Sequence, residues 1–130
     1  MNTPDELRYS VEHEWVRKLE NGEALVGITD FAQSELGDIV YVEVETVGEE
    51  IAKDEVFGTI EAVKTTSDLH MPVSGEILEF NPAIDENHDD SPELVNDSPY
   101  DQGWIIRIRM TAPEEYDTLM SASEYIDMVS

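Results

Sequence analysis

The chain has 130 residues, 40% of them hydrophobic, with 31 acidic against 7 basic side chains and a formal net charge of −24. That length suits one domain, 1–130, with a single apolar core, and so acidic a balance leaves no basic stripe for nucleic acid and no attraction to anionic membrane surfaces. There is no cysteine, which excludes disulfides and thiolate metal sites, so any redox chemistry has to come on a cofactor.

Residues 1–10 hold no apolar run of the signal-peptide kind, and no run anywhere is long enough to cross a bilayer. The expectation is a soluble, cytoplasmic protein. Tyr9, Val11, Trp15, Val16 and Leu19 suggest a strand after an irregular start. Glu20-Asn-Gly22 suits a type I′ hairpin turn, and Ala24 to Ile28 would be the return strand. Thr29 to Gly37 reads as a short helix: Thr29 can accept a first-turn N–H, and Gly37 can take the left-handed position after the last turn. Phe31, Ala32 and Leu36 would share a buried stripe on it. From Asp38 to Glu45 the pattern alternates, with Val40, Val42 and Val44 on one side and Tyr41, Glu43 and Glu45 on the other.

The next stretch, Val56 to Gly75, reads as strand, turn, strand. Val56, Ile60 and Val63 precede Lys64; Leu69, Met71 and Val73 follow it, and Pro72 confines the second run to an edge or a strand start. Lys64 is therefore held out on a tight turn. The chain has only two other lysines, Lys18 and Lys53. A lone turn lysine is by default a solvated surface charge, so its meaning depends on the frame around it. Gly75-Glu-Ile-Leu78 echoes Gly37-Asp-Ile-Val40, a short hint of two related β layers. Asp85 to Asp90 is an acidic run with Asp85, Asn87 and Asp89 at alternate positions, but Asp90 and Asn96 stand where a calcium loop wants Gly and Glu. A solvated loop is the better reading. Trp104, Ile106, Ile108 and Met110 alternate inward against Arg107 and Arg109. Thr111 with Glu114, and Ser121 with Glu124, have capping-box spacing and predict a C-terminal helix pair, about 112–120 and 122–129. Met120, Tyr125 and Met128 would dock it.

Glu61-Ala-Val-Lys64, with Gly75 eleven positions on, resembles the attachment hairpin of lipoyl carriers. Val63-Lys64 followed by Ser67-Asp68-Leu69 and Pro72-Val73-Ser74-Gly75 resembles more closely the H protein of the glycine cleavage system. A biotin carrier would have Met on both sides of the lysine, and a 2-oxoacid dehydrogenase lipoyl domain would have Asp before it. The likeness extends to His13-Glu14-Trp15-Val16, Gly27-Ile28-Thr29-Asp30, Asp97-Ser-Pro-Tyr100 and Gly103-Trp104, and so to nearly the whole chain. The loop before Ser91 is longer than the family's.

The resemblance implies a mainly β fold, a barrel-sandwich hybrid with short peripheral helices. It implies a carrier and not an enzyme: lipoate, amide-linked to Lys64 within the frame of Glu61, Val63 and Gly75. The aminomethyl group of glycine would pass from the decarboxylating glycine dehydrogenase (P protein) to the aminomethyltransferase (T protein). Dihydrolipoyl dehydrogenase (L protein) would reoxidise the arm, and a lipoate ligase or lipoyl transferase would install it. The loaded arm would fold into a cleft formed by Glu14, Asp68, Glu12 and Phe31, where a carboxylate meets the amine; Phe31 stands where the family often has His. Two alternatives stay open: a lipoyl donor or relay for 2-oxoacid dehydrogenases, and an acid/base hydrolase using paired carboxylates.

Overall fold

Asn21 and Gly22 both take positive φ, 61° and 78°, and the Glu23 N–H returns to the Glu20 carbonyl. That mirror-image turn matches the right-handed twist of paired strands. It joins β2 (Glu14–Lys18) to β3 (Glu23–Ile28), with Lys18 opposite Ala24. The computed structural model describes residues 2–130. Its remaining strands are β1 (Arg8–Tyr9), β4 (Ile39–Glu43), β5 (Glu50–Ile51), β6 (Val56–Ala62), β7 (Thr66–His70), β8 (Gly75–Phe80) and β9 (Ile106–Met110), and its helices are α1 (Asp30–Leu36), α2 (Leu94–Asp97) and α3 (Ala122–Val129).

The strands pair antiparallel into a six-stranded sheet, β1-β2-β3-β9-β8-β5, and a three-stranded sheet, β4-β6-β7. Inward residues of both meet in one apolar layer. Val16, Val26, Ile77, Ile106 and Ile108 face Ile39, Val42, Phe57, Ile60 and Leu69. The fold is mainly β with short helices at its edges, the barrel-sandwich arrangement expected. A second apolar cluster, with Leu7, Tyr9, Trp15 and Tyr125, seats α3 behind β1 and β2.

Some patterns resolve differently from the alternation of the sequence. Val40 is exposed while Ile39 and Val42 are buried, because a bulge shifts the β4–β6 register between Ile39 and Tyr41 and so turns one side chain over. The Phe31, Ala32 and Leu36 stripe is only half-buried: Ala32 and Leu36 pack on the edge of the core, and the same stripe lines a cleft. Trp104 precedes β9 and is half-buried, while its neighbour Ile105 is fully buried. Of the two capping boxes, only Ser121/Glu124 forms. The Thr111 N–H is taken by the Ser74 carbonyl, and Glu115, not Glu114, reaches back, accepting from the Ser74 N–H at 2.7 Å. With Pro113 at its start, the first helix reduces to a 3-10 turn, Pro113–Thr118. Tyr125 is buried, but Met128 is 41% exposed, on the outer side of α3.

Candidate functional site

β6 and β7 pair from Val56/His70 up to Glu61/Thr66. The Ala62 N–H then closes the turn on the Thr65 carbonyl at 2.7 Å, and the Val63 N–H donates to the Asp38 carbonyl at 3.1 Å. These two bonds fix the backbone on either side of Lys64 and leave its side chain exposed. Val63 is 71% exposed. Beside the tip, Leu36, Gly37 and Asp38 form with Val63 and Lys64 a shallow hollow of about 250 Å³. Glu61 lies on β6 between Tyr41 and Thr66 and is exposed. Gly75 is elsewhere: it sits in β8 of the other sheet, between Ile51 and Met110. A Cβ there would stand 2.8 Å from the Arg109 carbonyl oxygen, so glycine serves the close approach of two strands.

Two residues beyond Lys64, β7 begins, and its Ser67, Asp68 and Leu69 form one wall of a cleft of about 270 Å³. The opposite walls are α1, through Phe31 and Leu36, and the turn into β2, through Glu12 and the first strand residue Glu14. Glu12, Glu14, Phe31 and Asp68 are thus brought together in one cleft, with Ile28 and Ile60 contributing to its floor.

Glu14 is the unusual member. It is only 2% exposed. Its Oε1 accepts from Ser10 Oγ at 2.7 Å, and its Oε2 accepts a longer bond, 3.3 Å, from the His70 N–H. Burial pushes its carboxyl up to about 8; the two hydrogen bonds act the other way, and the nearby Glu12 and Asp54 charges add to the rise. Loss of hydration outweighs two donors because neither is a cation. A carboxyl in this position gains from a visiting cation. Asp68 is exposed, and its carboxylate makes no hydrogen bond among the described residues, so it does not hold the turn. Glu12, at the mouth, stands 4.0 Å from the His70 ring. The Phe31 ring leans on His13, with centroids 5.1 Å apart.

The sequence did not mark His13, Ser10 or Tyr125 as parts of this site. His13 adjoins the cleft with φ of 70°, and burial lowers its pKa. Its Nδ1 lies 2.8 Å from the Tyr125 hydroxyl, a partner 112 positions away. No periodicity signals such a pairing. Ser10 is four positions before Glu14, in a stretch with no regular pattern. The 85–90 run folds on itself: the His88 and Asp90 N–H groups donate to the Asp85 carbonyl, and the Asn87 N–H to its carboxylate.

An exposed lysine on a fixed turn beside an apolar cleft with carboxyl groups at its mouth and back can carry a long arm with a cationic end. A family model described as glycine cleavage H-protein matches residues 7–130. The glycine cleavage system H protein of Salinibacter ruber is 53% identical over 128 residues, covering 98% of this chain and 99% of its own length. That of Bacillus licheniformis is 53% identical over 129 residues, covering 99% and 98%. The crystal structure of a glycine cleavage system H protein from Mycobacterium marinum superposes with a TM-score of 0.84 at 37% identity, covering 97% of this chain and 98% of that one.

Proposed function

Because the chain belongs to the glycine cleavage H-protein family, we propose that residues 1–130 act as one lipoyl-carrier domain of the glycine cleavage system, with lipoate amide-linked to Lys64. It takes the aminomethyl group of glycine from the decarboxylating glycine dehydrogenase to the aminomethyltransferase, is reoxidised by dihydrolipoyl dehydrogenase, and catalyses no step itself. A lipoate ligase or lipoyl transferase loads the lysine, in the cytoplasm.

One observation carries this reading. The turn that exposes Lys64 leads within two residues into the cleft wall that contains Asp68 and faces Glu14. The lipoyl group supplies a disulfide, which the cysteine-free chain lacks, and a tether that raises the local concentration of its cargo at each partner. The chain's own residues do the rest. Ala62 and Val63 hold the turn through their N–H groups. Glu61 and Val63 present the lysine to the loading enzyme. Ile28, Ile60 and Leu69 offer an apolar bed that excludes water. Glu14, with Glu12 and Asp68 at the mouth, binds the cationic amine of the cargo, and Ser10 and the His70 N–H orient the Glu14 carboxyl.

Intact mass and peptide mapping of the chain treated with a lipoate ligase test the assignment. The lipoyl mass is expected on Lys64, and recovery on Lys18 or Lys53 would overturn it. Lys64→Arg should fold as the parent does and take no lipoate, since a guanidinium does not form the amide.

A further inference from the structure

Behind the cleft, one hydroxyl joins two of its walls. Tyr125 of α3 is fully buried, and its Oη lies 2.8 Å from His13 Nδ1 and 2.7 Å from Thr29 Oγ1. His13 belongs to the turn that carries Glu12 and leads into Glu14 at the start of β2. Thr29, also fully buried, is the cap of α1: its Oγ1 accepts from the Ala32 N–H at 3.1 Å, and α1 brings Phe31 and Leu36 to the cleft. The same two walls meet again through the Thr29 N–H, which donates to the His13 carbonyl at 3.0 Å, and through the Phe31 ring on the His13 ring.

His13 occupies the left-handed region, at φ 70°, which a residue other than glycine keeps only where its surroundings over-determine it. Its backbone is held from the N–H by the Ser10 carbonyl and from the C=O by Thr29. Its ring is held at Nδ1 by Tyr125 alone, and no hydrogen bond to Nε2 is formed within the described residues. Tyr125 itself cannot shift easily, because its ring stacks on Tyr9 with centroids 4.9 Å apart. Tyr9 in turn exchanges both backbone hydrogen bonds with Met120, just before α3.

We infer that Tyr125 is a positioning residue for the cleft: its hydroxyl clamps His13 and the cap of α1 together and so sets the separation of the walls that close on the arm's cargo. The inference rests on the reading that this cleft shelters the cargo amine. It assigns the C-terminal helix a part in that shelter although α3 contributes no side chain to the cleft. A site needs such outer supports because a small loosening of its walls readmits water.

The test uses the full chain as parent, Tyr125→Phe and Ala122→Gly. Tyr125→Phe keeps the ring and its stack on Tyr9 and removes only the hydroxyl. Ala122→Gly weakens the same helix at a buried position in its first turn and leaves the hydroxyl in place. On the unloaded chain, histidine-selective 15N NMR reads His13 Nδ1 directly, and the ring protons of Phe31 report the α1 wall. Both sets of signals should move in Tyr125→Phe and stay in Ala122→Gly. The lipoylated chains are then reduced and treated with formaldehyde and ammonia. One thiol S–H gives way to an S–CH2–NH2 group, and water leaves. Release of ammonia from the loaded chain should be faster in Tyr125→Phe by about twofold or more, the low end for one lost hydrogen bond, and unchanged in Ala122→Gly.

Unmoved His13 and Phe31 signals in Tyr125→Phe overturn the inference. So does an ammonia release that Ala122→Gly hastens as much, or moved signals with an unchanged release. A parent that releases ammonia as fast as free lipoamide loaded in the same way overturns the sheltering reading instead, and the signals of the unloaded chain alone then decide the clamp.

Discussion

Glu14 stores a pH dependence that one substitution should remove. Unfolded, its carboxyl titrates near 4.5; folded, burial holds the proton up to about 8. Between those values the folded chain binds the extra proton, so the stability this group contributes falls as pH rises through the window and is gone above it. His13 works the other way, since burial lowers its pKa: stability is gained as pH rises toward its ordinary value of 6.5. The interval from about pH 7 to 8.5 therefore isolates Glu14, and the parent should lose on the order of 1 kcal/mol across it, at roughly 1.4 kcal/mol per pKa unit. Urea midpoints of Glu14→Gln, which keeps a neutral group of similar shape, should be flat over that interval; an equal slope in the variant would assign the effect to another group. A docked cation would hold the Glu14 carboxylate ionised, so cargo retention should weaken as pH falls below neutrality and the buried carboxyl takes up its proton. Ammonia release from the loaded chain at pH 6 and pH 8 checks this, and a faster loss at pH 8 would count against it. Glu14 and Asp68 were legible because they stand in recognisable words on either side of the lysine. Its supports were not. Ser10 sits in an irregular stretch, and Tyr125 meets His13 only through the tertiary fold. Gly75 stands at the expected spacing from the lysine, but the strand crossing at Arg109 is what requires glycine there.

At the scale of elements, local chemistry was readable wherever the chain's own neighbours satisfy its backbone groups. The Asn21-Gly22 turn, the Thr29 cap and the Ser121/Glu124 box all close within four residues. They form where the sequence predicts. The Thr111 box fails because a distant partner, the Ser74 carbonyl, takes the same N–H, while the Ser74 N–H engages Glu115, one residue past the box's Glu114. Val40 turns outward because the bulge depends on how β4 meets β6, which one strand's alternation does not encode. Two substitutions measure these elements. Ser121→Ala leaves the Glu124 N–H without its side-chain partner and should cost about 1 kcal/mol, read as a shift in the urea midpoint with an unchanged slope. Gly58→Ala should cost more. Its Cβ would stand 2.5 Å from the Glu43 carbonyl oxygen, a backbone atom of β4 that does not rotate away. Overpacking of that kind costs roughly 1–3 kcal/mol, and because it separates β4 from β6, it should also hasten hydrogen exchange at the Val63 N–H beside the lysine. A Gly58→Ala chain as stable as the parent would show that the two strands part freely there.

At the scale of the whole molecule, a net charge of −24 on so small a surface repels itself, and the fold does little to relieve it. Arg107 reaches Glu23 and Glu79, and Arg109 reaches Glu76. The other cations face elsewhere. Arg8 and Lys18 lie against the Tyr116 ring, Arg17 against the Trp15 ring and the Tyr100 carbonyl, and Lys53 Nζ donates to Thr118. Lys64 would lose its charge on amidation. The composition alone foretells repulsion, but only the structure reveals that most of the few cations are not placed among the acids. Compaction should therefore be opposed by a field that salt can screen, since the Debye length falls from ~30 Å at 0.01 M to ~3 Å at 1 M. The melting temperature should rise with sodium chloride over that range, steeply at first and then more slowly as the screening length drops below the spacing of the acids. Hydrophobic burial also strengthens in some salts, chiefly sulfate and phosphate, so the discriminating comparison is chloride at low concentration against an uncharged osmolyte of equal osmolality. Screening predicts that chloride below 0.2 M raises the melting temperature, with the osmolyte nearly without effect there. A melting temperature flat in chloride from 0.01 M to 1 M would mean that the acids are dispersed widely enough to tolerate one another.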